Sequence, residues 1–266
     1  MINPAFHAIK TSIYFLLAPI VQQMAILKRR YKLEKAQRLG GQVGHYTFRT
    51  EDGQTLDFIP GQFVTLHLPG PDKMVNRSYS IANPPSGNSL EITCAHVEGG
   101  LATQYLSALA IGDCIEASGP HGLLVLKEEQ PTRIFLVGTG TGISPYRSML
   151  DQIKDRLENN PALEIIIIQG TRHATDLLFG DDFVAFDQQY PNFHFYACYS
   201  RASTTQHDFE HLGHVQIVLE KLKPNPTQDL VYLCGNPMMI DDSFALLTAM
   251  GFDKKSIRRE KYAFSH

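Results

Sequence analysis

From about residue 31 to residue 127, apolar and polar positions alternate in short runs broken by frequent turn residues. TLDFIPGQFVTLHLPG, SLEITCAHV and CIEASGPHGLLVL read as strands separated by Gly, Pro, Asn and Asp. LATQYLSALA, residues 101–110, has a helical pattern. These signals predict an antiparallel β-barrel with one short helix. After Pro131 the rhythm changes. RIFLVG (133–138) and LEIIIIQG (163–170) are continuous apolar runs, as expected of strands buried on both faces. FHFYACYS (193–200) and LVYLCG (230–235) follow at crossover spacing. Between the first two runs, Ile143, Tyr146, Met149, Leu150, Ile153 and Leu157 make one helical stripe, and HVQIVLEKL and MMIDDSFALLTAM continue the alternation. Strands separated by helices predict an α/β doubly wound parallel sheet. The expected organisation is therefore two domains, 31–128 and 131–266, meeting at KEEQP (127–131), behind an N-terminal extension of residues 1–30.

In that extension Ile13, Leu16, Leu17, Ile20, Met24 and Leu27 fall on one helical face, followed by the basic run Lys28, Arg29, Arg30, Tyr31, Lys32. The apolar stretch is short for a membrane span and contains Pro19, Gln22 and Gln23. Its charges come mainly after the apolar part and no small-residue cleavage site follows, so a secretory signal fits poorly. An amphipathic helix packed on the body of the protein is the expectation, with peripheral membrane contact as the alternative.

The chain's 266 residues suffice for two cores, and its net charge of -3 gives no general reason to expect nucleic acid as a partner. Cys94, Cys114, Cys198 and Cys234 lack any C-x-x-C spacing, which argues against a disulfide framework, a zinc ribbon or an iron–sulfur cluster. Reduced thiols in a cytoplasmic protein are expected.

Two stretches carry candidate chemistry. VGTGTGISPYRSML (137–150) joins the first apolar strand of the second half to its first helix. Gly138, Gly140 and Gly142 let the backbone turn tightly and approach a ligand, the following helix directs free N–H groups at the same place, and Pro145 suits a first helical turn. A pyrophosphate site is the expectation. The pattern is G-x-G-x-G-x-x-P rather than G-x-G-x-x-G, and no acidic partner for a ribose hydroxyl is evident. NRSYSIANPP (76–85) places Arg77, Ser78, Tyr79 and Ser80 in succession before Pro84 and Pro85; taken alone, it is also compatible with an ordinary strand end.

Together these motifs resemble the ferredoxin–NADP reductase superfamily over about residues 31–266. The resemblance implies that Arg77 pairs with the FAD pyrophosphate, that Tyr79 stacks on the isoalloxazine ring and that Ser80 lies near flavin N5, with Ser78 in the same flavin-binding segment. GGLATQYL (99–106) then supplies Gly100 and Thr103 to the FAD phosphates. GTGTGISP, with Thr139 and Thr141 among its glycines, matches the nicotinamide-nucleotide loop. CGNPMM (234–239) resembles the family's Cys-Gly motif, which puts Cys234 beside the nicotinamide and Gly235 where the ring needs room. Glu260-Lys261-Tyr262 matches a Glu-x-aromatic ending that covers the flavin; because the chain runs on, Phe264 is a second candidate for that cover. Ser80, Cys234 and Glu260 are the expected catalytic polar groups.

Arg172, Ser200 and Arg201 occupy strand ends where NADP-using members bind the extra phosphate, while Gly213-His214 stands where bacterial members often have Gly-Arg. NADPH is the expected nucleotide, with NAD as the alternative. Lys254, Lys255, Arg258, Arg259 and Lys261 suggest a basic face for an acidic ferredoxin or flavodoxin, or alternatively a solvated strand edge. HDFEH (207–211) spells the H-x-x-E-H of some zinc proteases, but in polar, loop-like sequence, and no metal is expected there. The function expected from the resemblance is hydride transfer between NADPH and FAD, then single electrons to a carrier. The alternatives are an NADH-linked reductase feeding an oxygenase, or a non-catalytic subunit of the same fold that binds a partner or a membrane.

Overall fold

The computed structural model describes residues 28–262. Phe264 and the apolar stretch 11–27, with its predicted helix, lie outside the described residues. The basic run after that stretch is part of the first strand, β1 (Lys28–Leu39), where Tyr31 and Leu33 turn inward between exposed charges. It pairs with β2 (Val43–Thr50) through a tight Gly40–Gly41 turn in which both glycines have positive φ.

β3 (Phe63–Pro69), β4 (Met74–Ser80), β5 (Ser89–Ala95) and β6 (Cys114–His121) complete a six-stranded antiparallel sheet in the order β4-β3-β6-β1-β2-β5. Alternate residues such as Val64, Leu66 and Leu68 of β3 fill its core with Phe48, Leu90 and Ile92. One helix, α1 (Leu101–Ala108), follows β5 and buries Leu106. Residues 55–62, expected to be strand, form an irregular approach to β3 instead, because Pro60 and Gly61 interrupt the ladder.

The second sheet is wholly parallel: β7 (Arg133–Thr139), β8 (Glu164–Thr171), β9 (Phe193–Tyr199), β10 (Glu210–Leu212), β11 (Asp229–Gly235) and β12 (Ile257–Lys261), in the order β10-β9-β8-β7-β11-β12. Ile165 and Ile167 of β8 enter one core and Ile166 and Ile168 the other, which explains the unbroken apolar run. The helices are α2 (Ser144–Ser148), α3 (Leu150–Asn159), α4 (Gly180–Gln189), α5 (Val215–Leu222) and α6 (Pro237–Ala249). The single stripe predicted over 143–157 is broken at Met149, which is buried and separates α2 from α3. The two short edge strands β10 and β12 gave no apolar run: β10 is three residues long with a half-buried Glu210, and β12 carries exposed Arg259 and Lys261. Among the described residues, no helix is long and apolar enough to cross a membrane.

Candidate active site

The antiparallel sheet curls until its edge strands β4 and β5 approach, but they meet only at an isolated bridge, Ile81–Ile92. Their remaining N–H and C=O groups have no strand partner on that side, so a polar, extended ligand is the natural occupant. A cavity of about 470 Å³ lies there, bordered by Asn76–Ser80 of β4, by Thr93–Ala95 of β5 and by the start of α1. Thr141, Ser144 and Glu260–Tyr262 of the parallel-sheet lobe form its remaining wall.

Each barrel residue expected from the sequence borders this cavity: Arg77, Ser78, Tyr79, Ser80, Gly100 and Thr103. Arg77 is half-exposed and, among the described residues, bonds only its neighbour's carbonyl, Asn76 O, at 2.9 Å, which leaves most of its donors for an anion. The Tyr79 hydroxyl lies 3.5 Å from the Cys94 sulfur. Burial, and next the nearby Cys94, push the Tyr79 phenol far above its ordinary value, so it stays neutral. Thr103 does not cap α1. Its hydroxyl accepts the Val97 N–H at 3.0 Å and closes the turn before the helix, and a Cβ on Gly100 would press on Val97.

Ser80, Glu260, Tyr262 and Cys234 are brought together. Ser80 Oγ and the Tyr262 hydroxyl are 2.6 Å apart, and Tyr262 N–H donates to Gly235 O at 2.9 Å. Burial raises the Glu260 carboxyl above the usual carboxylate value, opposed by a hydrogen bond from Ser80. Cys234 is fully buried and does not line the cavity; Tyr262 does. Burial, reinforced by Glu260, pushes the Cys234 thiol well up, so it is a neutral thiol rather than a thiolate.

The glycine loop turns at the carboxyl end of β7 through a 3-10 turn, Gly140–Ile143, into α2, with Pro145 in the first helical turn. Gly138 and Gly142 are required by close backbone packing, whereas Gly140, with φ +53°, has open space around it. A Cβ on Gly142 would overlap the Cys234 carbonyl, and one on Gly235, whose φ is +118°, would lie 2.6 Å from Thr139 O. Thr139 Oγ1 also accepts the Asn236 N–H at 3.0 Å, so the glycine loop and the Cys-Gly turn form one unit. Arg172 and Arg201 lie beyond the ends of β8 and β9, joined by Arg201 N–H to Arg172 O at 2.9 Å; Ser200 N–H donates to Thr171 O at 3.0 Å beside them. Both arginines are exposed, and neither forms an ion pair among the described residues.

The cavity residues that sequence reasoning did not single out include Phe63, Thr93, Cys94, Val97 and Ser144. Ser144 sits inside the glycine motif, but its contact with Thr93 across the lobes had no signal in either stretch. The basic run near the end is mostly engaged internally. Arg258 pairs with Glu129, Lys261 Nζ lies 2.6 Å from Asp241, and the Arg259 guanidinium stacks 3.9 Å from the Phe244 ring. In HDFEH, Glu210 accepts the Gln206 and His207 N–H groups and the Tyr199 hydroxyl, and no metal-holding cluster occurs among the described residues.

The family described as oxidoreductase FAD-binding domain matches residues 30–125, and that described as oxidoreductase NAD-binding domain matches residues 136–244. The chain belongs to the ferredoxin–NADP reductase superfamily. It is 31% identical over 211 residues to the electron transfer component of toluate 1,2-dioxygenase from Pseudomonas putida, covering 79% of this chain and 60% of the relative. It is 37% identical over 144 residues to ferredoxin–NADP reductase B of Sorangium cellulosum, covering 54% of this chain and 58% of the relative. The chain thus spans about 60% of the length of these two curated relatives. Among solved structures, a cytochrome P450 reductase of Amycolatopsis superposes with a TM-score of 0.77 at 25% identity, over 88% of this chain and 69% of that one. A ferredoxin–NADP reductase from Neisseria gonorrhoeae with FAD and NADP bound superposes with a TM-score of 0.75 at 20% identity, over 88% and 98%, and shares the fold. This superfamily chain accordingly carries an FAD-binding and a nicotinamide-nucleotide-binding half.

Proposed function

We propose that the chain is an FAD-dependent reductase that passes hydride between NADPH and flavin and then delivers single electrons to a separate carrier such as ferredoxin or flavodoxin. The observation that carries this reading is the cavity walled by both lobes, in which the barrel's Arg77, Tyr79 and Ser80 face Thr141, Glu260 and Tyr262 of the nucleotide half. The residues fit the cofactor: an open sheet edge, a half-exposed guanidinium for a pyrophosphate, a flat phenol and a hydroxyl. FAD, when bound, accepts two electrons as hydride and releases them singly.

In this reading residues 31–128 hold FAD and residues 131–266 hold the nucleotide. Arg77 and the start of α1, with Gly100 and Thr103, bind the FAD phosphates. Tyr79, kept neutral by burial, offers its ring as a stacking surface, and Ser78 borders the same segment. Ser80 presents its hydroxyl where hydride arrives, held by Glu260 and Tyr262. Tyr262 covers the flavin ring until the nicotinamide displaces it. Gly138, Gly140, Gly142 and Gly235 bring backbone close to the nucleotide, with Pro145 starting the helix behind them. Arg172, Ser200 and Arg201 would receive the extra phosphate of NADPH; exposed guanidiniums without a carboxylate partner are suited to that task.

A second reading, an NADH-linked reductase component feeding an oxygenase, is favoured by the relatives, which include electron transfer and reductase components of toluate dioxygenase, phenol monooxygenase and propane monooxygenase. Anaerobic mixing of FAD-loaded protein with each nucleotide separates the two. Faster loss of flavin absorbance with NADPH is expected. Arg201→Ala should then raise KM for NADPH about tenfold and leave that for NADH unchanged, as loss of one charge-assisted hydrogen bond predicts. Reduction mainly by NADH favours the oxygenase reading, and a protein that takes up no FAD refutes both.

A further inference from the structure

α2 has five residues, and three of them bond to the barrel. Ser144 Oγ lies 2.6 Å from Thr93 Oγ1 of β5. Ser148 Oγ accepts the Gly61 N–H at 2.9 Å. Arg147 Nη1 donates to Ala82 O at 2.9 Å and to Glu91 Oε2 at 2.8 Å. The other side of the same guanidinium turns to its own lobe: Nε lies 2.7 Å from Asp182 Oδ2, and the guanidinium carbon sits 4.5 Å from the centre of the Phe179 ring. Phe179 holds a left-handed backbone conformation, φ 57°, which is unusual for an aromatic residue, and also receives the edge of His45 from the barrel. His45 Nε2 lies 2.9 Å from the same Glu91 oxygen that Arg147 binds.

A guanidinium with partners in four directions fixes orientation, because its donors form one rigid plane. An ammonium at the same place could satisfy only some of them. The position in the chain gives this geometry its consequence. α2 continues directly from the glycine turn whose Thr141 walls the cavity, and Glu91 lies two residues before Thr93, which walls it from the other lobe. Whatever locks α2 to β5 therefore sets the separation of the two cavity walls.

We propose that Arg147 is a positioning residue for hydride transfer, locking the glycine loop of the nucleotide lobe to β5 of the flavin lobe through Glu91 and the Ala82 carbonyl. This inference rests on the oxidoreductase reading for its chemistry, though not for its geometry. Arg147 does not line the cavity, so its loss acts on the alignment of bound cofactors rather than on their binding.

The test compares wild type with Arg147→Ala, Arg147→Lys, Glu91→Gln and Asp182→Asn, each loaded with FAD. At saturating nucleotide, Arg147→Ala should slow flavin reduction about 100-fold, the order of loss that a displacement of about 1 Å produces, with FAD and nucleotide affinities held within about twofold. Arg147→Lys and Glu91→Gln should each lose about tenfold, while Asp182→Asn stays within about twofold, because Asp182 is exposed and its bond to Arg147 lies inside one lobe. The long-wavelength absorbance of the stacked flavin–nicotinamide pair should weaken in step with the rate. A second readout needs no cofactor: in the apo protein, hydrogen exchange at the Gly61 amide should quicken in Arg147→Ala while amides in the middle of β1 and β11 hold their rates. Unchanged reduction in a folded Arg147→Ala protein overturns the proposal, as does an equal loss in Asp182→Asn or a loss matched by weaker cofactor binding. If Arg147→Ala does not fold, Arg147→Lys and Glu91→Gln carry the same comparison. Wild-type protein reduced by neither nucleotide would refute the oxidoreductase reading itself; the Gly61 exchange rate would still decide whether Arg147 locks the lobes.

Discussion

The two lobes make room for a ligand in opposite ways. The barrel leaves a gap between β4 and β5 and furnishes it with side chains: a guanidinium at Arg77, a ring at Tyr79, a hydroxyl at Ser80. The parallel-sheet lobe does so by removing side chains, so that Gly142 lies against the Cys234 backbone and Gly235 against Thr139. The first site is defined by functional groups set on a scaffold. The second is the scaffold. Truncation should therefore impair chemistry in the barrel, and addition should impair folding in the other lobe.

The sharpest way to break this contrast is to add one methyl group. Gly142→Ala forces the Cys234 carbonyl and the Gly235 backbone to move, and should cost about 3 kcal/mol, read as a lower urea midpoint at unchanged slope. Gly140→Ala is its control two residues away: φ is +53° but nothing lies within 4 Å of the new Cβ, so only backbone strain of about 1 kcal/mol is expected. Equal losses at the two positions would mean that conformation, not close packing, dictates the glycines. In the barrel, Ser80→Ala should leave FAD content and unfolding midpoint near wild type while slowing flavin reduction about tenfold, the worth of one lost hydrogen bond. Unaltered reduction kinetics would remove Ser80 from the chemistry.

The smallest expected effect concerns Glu260, where the lobes meet. Its carboxyl titrates above the usual value of 4.5 when folded, chiefly through burial, so the folded protein holds that proton more tightly than the unfolded chain does. Its ionisation therefore opposes folding: the penalty is present above the folded value and vanishes as pH falls below 4.5. Glu260→Gln should raise the Tm of the apo protein at pH 8 and match wild type near pH 4. A difference of the same size at both pH values would show that packing rather than charge is responsible.

How legible the molecule was depends on the reach of each interaction. Strands β7, β8, β9 and β11 were readable because burial on two faces writes itself as consecutive apolar residues. β10 and β12 were not, since an edge strand with charged residues has neither run nor clean alternation. The same limit applies at the site. Arg77 to Ser80 and the glycine turn are contiguous and could be recognised as units, whereas the seam joins Thr93 to Ser144, Glu91 to Arg147 and Gly61 to Ser148, pairs 51, 56 and 87 residues apart. Nothing in a single sequence couples such positions. The partners of Arg258, Arg259 and Lys261, namely Glu129, Phe244 and Asp241, are brought to them only by folding, so these contacts could not be read from the basic run.

Leu124 and Leu126 precede the seam in sequence, yet they pack in the core of the parallel-sheet lobe with Ile134, Tyr146 and Met149, and Leu39 and Val43 from the first hairpin lie against that same core. During synthesis these apolar residues emerge from the ribosome well before most of the helices and strands that cover them. A nascent barrel thus waits with an unprotected flank until the second half is made. Expressed alone, residues 31–128 should be prone to aggregation, whereas the same segment supplied together with residues 131–266 on a second polypeptide should find its cover and stay in solution.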